Sequence, residues 1–235
     1  LEESWKMREI VLDTETTGFE PNEGDRIVEI GAVELLNHLP TGRTYHQYIN
    51  PQRSMPEGAF SVHGLSAEFL SDKPVFKDIA QELIDFIGNS KIVIHNAAFD
   101  MKFLNAELGW ASRQLLPKDQ AIDTLAMARR KFPGSPASLD ALCRRFSVDN
   151  TSRTLHGALL DSEILAKVYL ELVGGRQPDL VLSGPTAKKT ADGTEPLGWR
   201  PTQRPTQLPS RLSVTEKAAH EKFIAAFEVD TLWPN

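Results

Sequence analysis

The sequence has a single cysteine, Cys143, among 235 residues, so no disulfide can form within the chain. That fits a reducing compartment, and the cytoplasm is the expected location. Cys143 falls in the helical pattern from Leu139 to Phe146 and reads as a small buried apolar residue rather than a reactive thiol. No apolar run approaches the roughly 20 residues that a membrane span needs, so a membrane partner is not expected. Basic excess is missing too: 26 Lys and Arg stand against 32 Asp and Glu, for a net charge of −6. A protein that coats long stretches of nucleic acid would be basic. An enzyme that holds a few nucleotides through metal ions need not be, and two bound divalent cations would bring −6 to about −2. There are no internal repeats.

What is present is a change of period along the chain. Arg8–Asp13, Arg26–Leu36 and Thr44–Ile49 carry strand patterns joined by short turn-rich links, the second of them His38-Leu39-Pro40-Thr41-Gly42. Consecutive strands with short links predict an antiparallel meander. Residues 75–87 then show helical spacing, with Phe76, Ile79, Ala80, Leu83, Ile84 and Ile87 on one face. A short apolar strand is expected over Lys91–His95 and a helix over Ala97–Leu108. Another short strand is expected at Ile122, with a helix from Leu125 to Arg130. Ser138 reads as the N-cap of a helix ending near Phe146. A long helix from Gly157 to Leu172 stops at Gly174-Gly175. The expectation is an α/β domain over residues 1–174, with a mixed five-stranded sheet, three strands antiparallel and the later ones parallel, flanked by helices.

Beyond Gly174 the composition shifts. Pro178, Pro185, Pro196, Pro201, Pro205 and Pro209 recur, which predicts a flexible linker over 175–210. Ser213-Val214-Thr215-Glu216 matches a capping box. An amphipathic helix through Ala219, Phe223, Ala226 and Phe227, with Trp233 beyond, is expected in a tail over 211–235.

Three acidic segments carry the chemistry. Asp13 and Glu15 lie two apart at the end of the first strand, so both carboxylates face one side. Held that close they repel unless hard cations with oxygen ligands sit between them. Alone, such a pair is more often two exposed acids at a strand end. Asp100, in Asn96-Ala97-Ala98-Phe99-Asp100, follows a strand and opens a helix, where an acid also complements the helix dipole. His156 and Asp161 flank the start of the last helix. Five residues amount to about 500° of helical rotation, so His156 must fold back from the loop to reach the acid. Phe99 reads as core, and Asp123 as a helix cap rather than a further ligand.

Together these segments resemble the Asp-Glu-Asp-Asp family of 3′→5′ exonucleases, in the branch whose last motif holds a histidine. Ile10–Gly18, Ser138–Cys143 and Arg153–Asp161 are similar to the epsilon proofreading subunits of bacterial DNA polymerase III in particular. The resemblance covers residues 8–174 and, more loosely, the tail. It implies a ribonuclease-H-like fold. It implies two Mg²⁺ or Mn²⁺ ions held by Asp13, Glu15, Asp100 and Asp161, with His156 as general base. It implies removal of mismatched 3′-terminal nucleotides from a single-stranded or frayed DNA end as 5′-monophosphates. Thr16, Thr17, His63 and Asn96 become substrate-binding candidates, although His63 reads equally as a structural loop histidine and Asn96 as a cap.

The same resemblance implies partners. Gln177, Leu180 and Leu182 form a Gln-x-x-Leu-x-Leu segment of the sliding-clamp-binding kind. Phe223, Phe227 and Trp233 would engage the polymerase alpha catalytic subunit, and a small theta-like subunit joins the implied set. Two other readings stay open. An RNA-trimming exonuclease would share all five residues, and DNA-versus-RNA choice rests on 2′-hydroxyl contacts that sequence does not show. A non-catalytic clamp–polymerase scaffold would not need its acids.

Overall fold

The computed structural model describes residues 7–151, 153, 155–174 and 213–225. By chain contacts it divides into two units, residues 1–180 and 181–235. The linker expected over 175–210 lies outside the described residues, as do Gln177, Leu180, Leu182, Phe227 and Trp233.

In the first unit, strand β1 (Arg8–Thr16) runs antiparallel to β2 (Ile27–Leu36), which pairs antiparallel with β3 (Leu39–Tyr48). On its other side β1 runs parallel to β4 (Lys91–Ile94), and β4 parallel to β5 (Ala121–Asp123). The order β3-β2-β1-β4-β5 is the mixed five-stranded sheet that the pattern predicts, with β1 near its middle.

The β2–β3 turn differs from expectation. Asn37 and His38 both take left-handed φ values, 51° and 66°, and close a two-residue hairpin. Such a hairpin needs positive φ at both central residues. Leu39 to Gly42 therefore belong to β3. Pro40 is tolerated because β3 is an edge strand, and the pairing slips between Val33 and Leu35 beside it.

Helices α1 (Glu57–His63) and α2 (Ala67–Leu70) precede α3 (Phe76–Ile87). The two short helices were not expected: neither is long enough to show a period. On α3, Phe76, Ile79, Ala80, Leu83 and Ile87 are buried, matching the spacing read from sequence. Each large apolar side chain buried there contributes about 1.5–3 kcal/mol. Helix α4 (Ala97–Trp110) packs on the same side of the sheet, against Ile10 and Leu12 of β1.

Helices α5 (Thr124–Lys131), α6 (Leu139–Phe146) and α7 (Ala158–Leu172) cover the opposite side. There Val11, Val33 and Leu35 meet Leu165, Ala166 and Tyr169. Ser138 caps α6, its hydroxyl accepting from the Ala141 N–H at 3.3 Å. Cys143 is buried in α6, as expected. Gly31 of β2 lets α7 lie close: a Cβ there would stand 2.1 Å from the Leu159 nitrogen. The Ser162 hydroxyl donates to the Gly31 carbonyl at 2.9 Å across the same contact.

In the second unit the described part is α8 (Val214–Ala225). The capping box is in place, with Ser213 N–H donating to Glu216 Oε2 at 2.8 Å and Glu216 N–H to Ser213 Oγ at 3.2 Å. Of the expected apolar face, Ala219 and Phe223 lie four residues apart on one side of α8, and Ala226 and Phe227 lie outside the described residues. Among the described residues, no helix is long and apolar enough to cross a membrane.

Candidate active site

Strand alternation sets the site. Odd positions of β1 face α7, so Asp13 and Glu15 follow Glu9 and Val11 on that side, near the strand's C-terminal end. Thr14 points the other way and reaches the first turn of α4, donating to Asp100 Oδ1 at 2.7 Å. That contact fixes the third carboxylate against the strand. Asp161 sits in the first turn of α7, and its N–H donates to Gly157 O at 2.9 Å. The Gly31 contact presses this turn onto the sheet. The four acids thus come from three elements that all dock on or beside β1, and they line one cleft of about 470 Å³.

His156 precedes α7 on the loop side, as its spacing requires. Its backbone N–H donates to Val62 O at 3.1 Å, which hangs the loop on the end of α1. Its side chain is 48% exposed, with Nδ1 3.3 Å from Asp161 Oδ2. Ligand atoms of Glu15, His156 and Asp161 lie within 4.8 Å of one another.

Crowding shows in the protonation of these groups. Burial, then the charges of Asp100, Glu15 and Asp161, raise Asp13 well above the usual carboxylate range. Burial pushes Glu15 up to about 8, helped by Asp161, Glu29 and Asp100. Burial lifts Asp100 to about 7 against the opposing hydrogen bond from Thr14. For Asp161 burial acts upward as well, but the neighbouring His156 and Arg153 outweigh it and hold the acid low. An all-carboxylate set that must take up protons to relieve its own repulsion fits hard divalent cations.

Two contributors escaped the sequence reading. Thr14 has no motif signature beyond lying between the two acids. Arg153 is the larger omission. Its guanidinium spans Asp161, Asp140 and His156 at the heart of the cleft. A single arginine in a loop shows no period or spacing that would single it out.

The substrate-binding candidates divide. Thr16, Thr17 and His63 line a neighbouring cleft of about 550 Å³, which Glu15 and Phe99 join to the first. The Thr17 hydroxyl is already committed, donating to Asp25 Oδ1 and accepting from the Arg26 N–H. Thr16 Oγ1 donates to Gly18 O at 2.6 Å. His63 ends helix α1 rather than sitting in a loop, and burial lowers its pKa. Its Nδ1 accepts from the Leu65 N–H, while its buried Nε2 has no hydrogen-bond partner among the described residues.

Asn96 lines the first cleft from a left-handed backbone, φ 69°, at the N-cap position of α4. Its side chain does not cap, because that backbone turns it away from the helix. Asp123 caps α5 as expected, accepting from Leu125 and Ala126 N–H groups at 2.9 and 3.3 Å. Phe99 is only half-buried at the rim, its ring against Phe19 and Phe103, rather than in the core.

Residues 10–169 match the family model described as Exonuclease. The chain is 59% identical over 174 residues to the DNA polymerase III subunit epsilon of Rickettsia felis, covering 73% of this chain and 76% of the relative. It is 45% identical over 228 residues to the subunit of the same name in Escherichia coli K12, covering 91% of this chain and 90% of the relative. The chain belongs to the epsilon family of exonucleases. The 3′→5′ exonuclease activity of the proofreading class, expected from its motifs, therefore holds for this epsilon-family chain, and divalent-metal dependence comes with the family.

Solved structures agree on the architecture. Exonuclease X in complex with 5′ overhanging duplex DNA is 26% identical, with a TM-score of 0.57, covering 70% of this chain and 90% of that one. The nuclease domain of 3′hExo, a DEDDh family member bound to rAMP, is 20% identical with a TM-score of 0.62, covering 72% and 93%. The fold is ribonuclease-H-like.

Proposed function

We propose that Asp13, Glu15, Asp100 and Asp161 hold two divalent ions, Mg²⁺ or Mn²⁺, and that His156 is the general base of 3′-terminal hydrolysis. The observation that carries this reading is the convergence of four carboxylates and one exposed imidazole in a single cleft. When bound, the ions supply Lewis acidity for in-line displacement at phosphorus. The chain's own groups do the rest. His156 accepts the proton of the attacking water at a ring nitrogen. Asp161, 3.3 Å away, orients that ring and stabilises its protonated form. Thr14 keeps Asp100 turned toward Asp13. The 3′-terminal nucleotide lies across the adjoining cleft at Thr16, Thr17 and His63, with Asn96 at the edge of the first. The product is a nucleoside 5′-monophosphate.

The substrate is a frayed or single-stranded 3′ DNA end, and the setting is the bacterial replicative polymerase. Similarity to the Escherichia coli relative through 91% of this chain, well beyond residue 174, supports that setting over a stand-alone RNA trimmer. Residues 177–182 would dock on the sliding clamp and residues 211–235 on the alpha subunit, with a small theta-like subunit as a further partner.

A gel assay on 5′-labelled single-stranded DNA and matched RNA, with and without Mg²⁺, tests the enzyme reading. The expected result is Mg²⁺-dependent shortening of DNA from the 3′ end that Asp13→Ala abolishes. Preference for RNA would move the reading to RNA trimming. Activity that survives Asp13→Ala would remove the metal site proposed here.

A further inference from the structure

Arg153 engages three side chains of the cleft at once. It sits in the loop before α7 and directs its guanidinium into the site. Nε and Nη2 take both oxygens of Asp161, at 2.5 and 2.8 Å. Nη1 donates to Asp140 Oδ1 at 2.8 Å, and Asp140 in turn accepts from Asn150 Nδ2 at 3.0 Å. Nη2 also lies 2.7 Å from His156 Nδ1. A guanidinium has no acceptor, so His156 Nδ1 must accept there, and its lone pair is occupied.

The same cation therefore engages one acid of the proposed metal set and the proposed base together. Side-on bidentate pairing is the strongest arrangement open to an Arg–carboxylate pair. It also occupies the carboxylate that would serve as a ligand to a divalent ion on the proposed reading. Asp140 gives the guanidinium somewhere to stay: it lines the cleft, is 47% exposed at its side chain, and lies outside the proposed metal set.

We propose that Arg153 is a latch, standing in for a divalent cation on Asp161 and blocking His156 until metal arrives. Resting on the metal reading given above, this assigns Arg153 a positioning role. On loading, Arg153 gives up Asp161 to the ion and stays on Asp140. His156 Nδ1 is then free to donate to Asp161, which leaves Nε2 as the accepting nitrogen. One positive group replaces another beside Asp161, so the acid is never left buried and unpaired, the costly state for a carboxylate. The latch sets a threshold: metal must outcompete an internal cation before the base is released.

Mn²⁺ titrated into the full-length chain, followed by loss of the free-Mn²⁺ EPR signal, tests this without any turnover. The expected result is that Arg153→Gln binds Mn²⁺ more tightly than the unaltered chain, by about five- to tenfold, as an internal competitor worth about 1 kcal/mol or more is removed. Arg153→Lys, which keeps the charge but not the fork, should fall between the two. Where Arg153→Gln is too unstable to titrate at low metal, the rise in melting temperature on saturation with Mn²⁺ gives the same comparison and should exceed that of the unaltered chain. Equal or weaker binding by Arg153→Gln, with the unaltered chain still binding, would overturn the latch and leave Arg153 a brace for the metal-loaded site. No Mn²⁺ binding by either chain would remove the metal reading and the latch with it.

Discussion

A base that must pass its proton to solvent needs an exposed face, while the group that orients it works best when shielded. His156 and Asp161 have that division, with side chains 48% and 4% exposed. Replacing His156 with Ala should lower kcat by about 10²-fold or more, the range for lost general-base help, with Mg²⁺-dependent activity still measurable. Full activity in that variant would mean another group takes the proton.

The raised acids make a second expectation at this scale, and its sign can be worked out. Unfolded carboxylates titrate near 4, whereas Glu15 and Asp100 are lifted to about 8 and 7 in the fold. The folded, metal-free protein thus binds more protons than the unfolded chain between those limits. Its stability is greatest below the unfolded value and falls as pH rises through the folded ones. Buried His63 and His95 have lowered pKa values and act in the opposite direction, but only below their ordinary value near 6.5. Melting temperature in excess chelator should therefore drop between pH 6.5 and 8, by roughly 2–4 °C or more, and excess Mg²⁺ should flatten the drop. Parallel curves with and without Mg²⁺ would contradict the account.

At the scale of elements, α7 is the part whose placement matters most, and Gly31 decides it. A Cβ at Gly31 would meet backbone atoms of Ala158 and Leu159 at 2.1–2.3 Å, and backbone cannot step aside. Gly31→Ala should lift the first turn of α7 and carry Asp161 with it. We expect a loss of about 1–3 kcal/mol from overpacking and at least tenfold in kcat, since shifts of about 1 Å in a site can cost 10²-fold. Gly109→Ala, where a Cβ meets nothing nearer than Leu115 Cδ2 at 3.8 Å, is the matched control. Equal melts and rates for the two variants would show that α7 docks without needing Gly31.

Legibility followed the same elements. The period of α3 and the Ser138 cap could be read because burial and capping are local and repeat at known spacings. The Asp13 and Glu15 pair could be read because strand alternation is rigid. The Asn37–His38 turn was missed because neither residue is glycine, and the Pro40 and Gly42 nearby drew the turn two residues downstream. Arg153 was missed because its meaning comes only from the three side chains that folding brings to it, each 3 to 13 residues away along the chain.

For the whole molecule, the five proposed catalytic residues all lie in the first unit, residues 1–180, and the proposed polymerase-binding tail lies in the second. Removing residues 211–235 should leave the rate on single-stranded DNA within about twofold, because all five proposed catalytic residues are in the first unit. The same deletion should weaken binding to the alpha subunit by tenfold or more while sparing the clamp, whose proposed segment ends at Leu182. Surface-immobilised polymerase and clamp, each challenged with both chains, provide the comparison. Undiminished polymerase binding would relocate that contact to residues before 211.

The site also has an order of assembly. Asp13 and Glu15 are made early, Asp100 near the middle, and Asp161 only after two thirds of the chain, on a helix that must return across Gly31 to reach β1. A growing polypeptide therefore lacks a complete cleft until α7 has been made: before that helix docks it has three of the four acids. On the proposed metal reading the site is thus completed late, because its fourth acid is encoded in the last helix of the first unit.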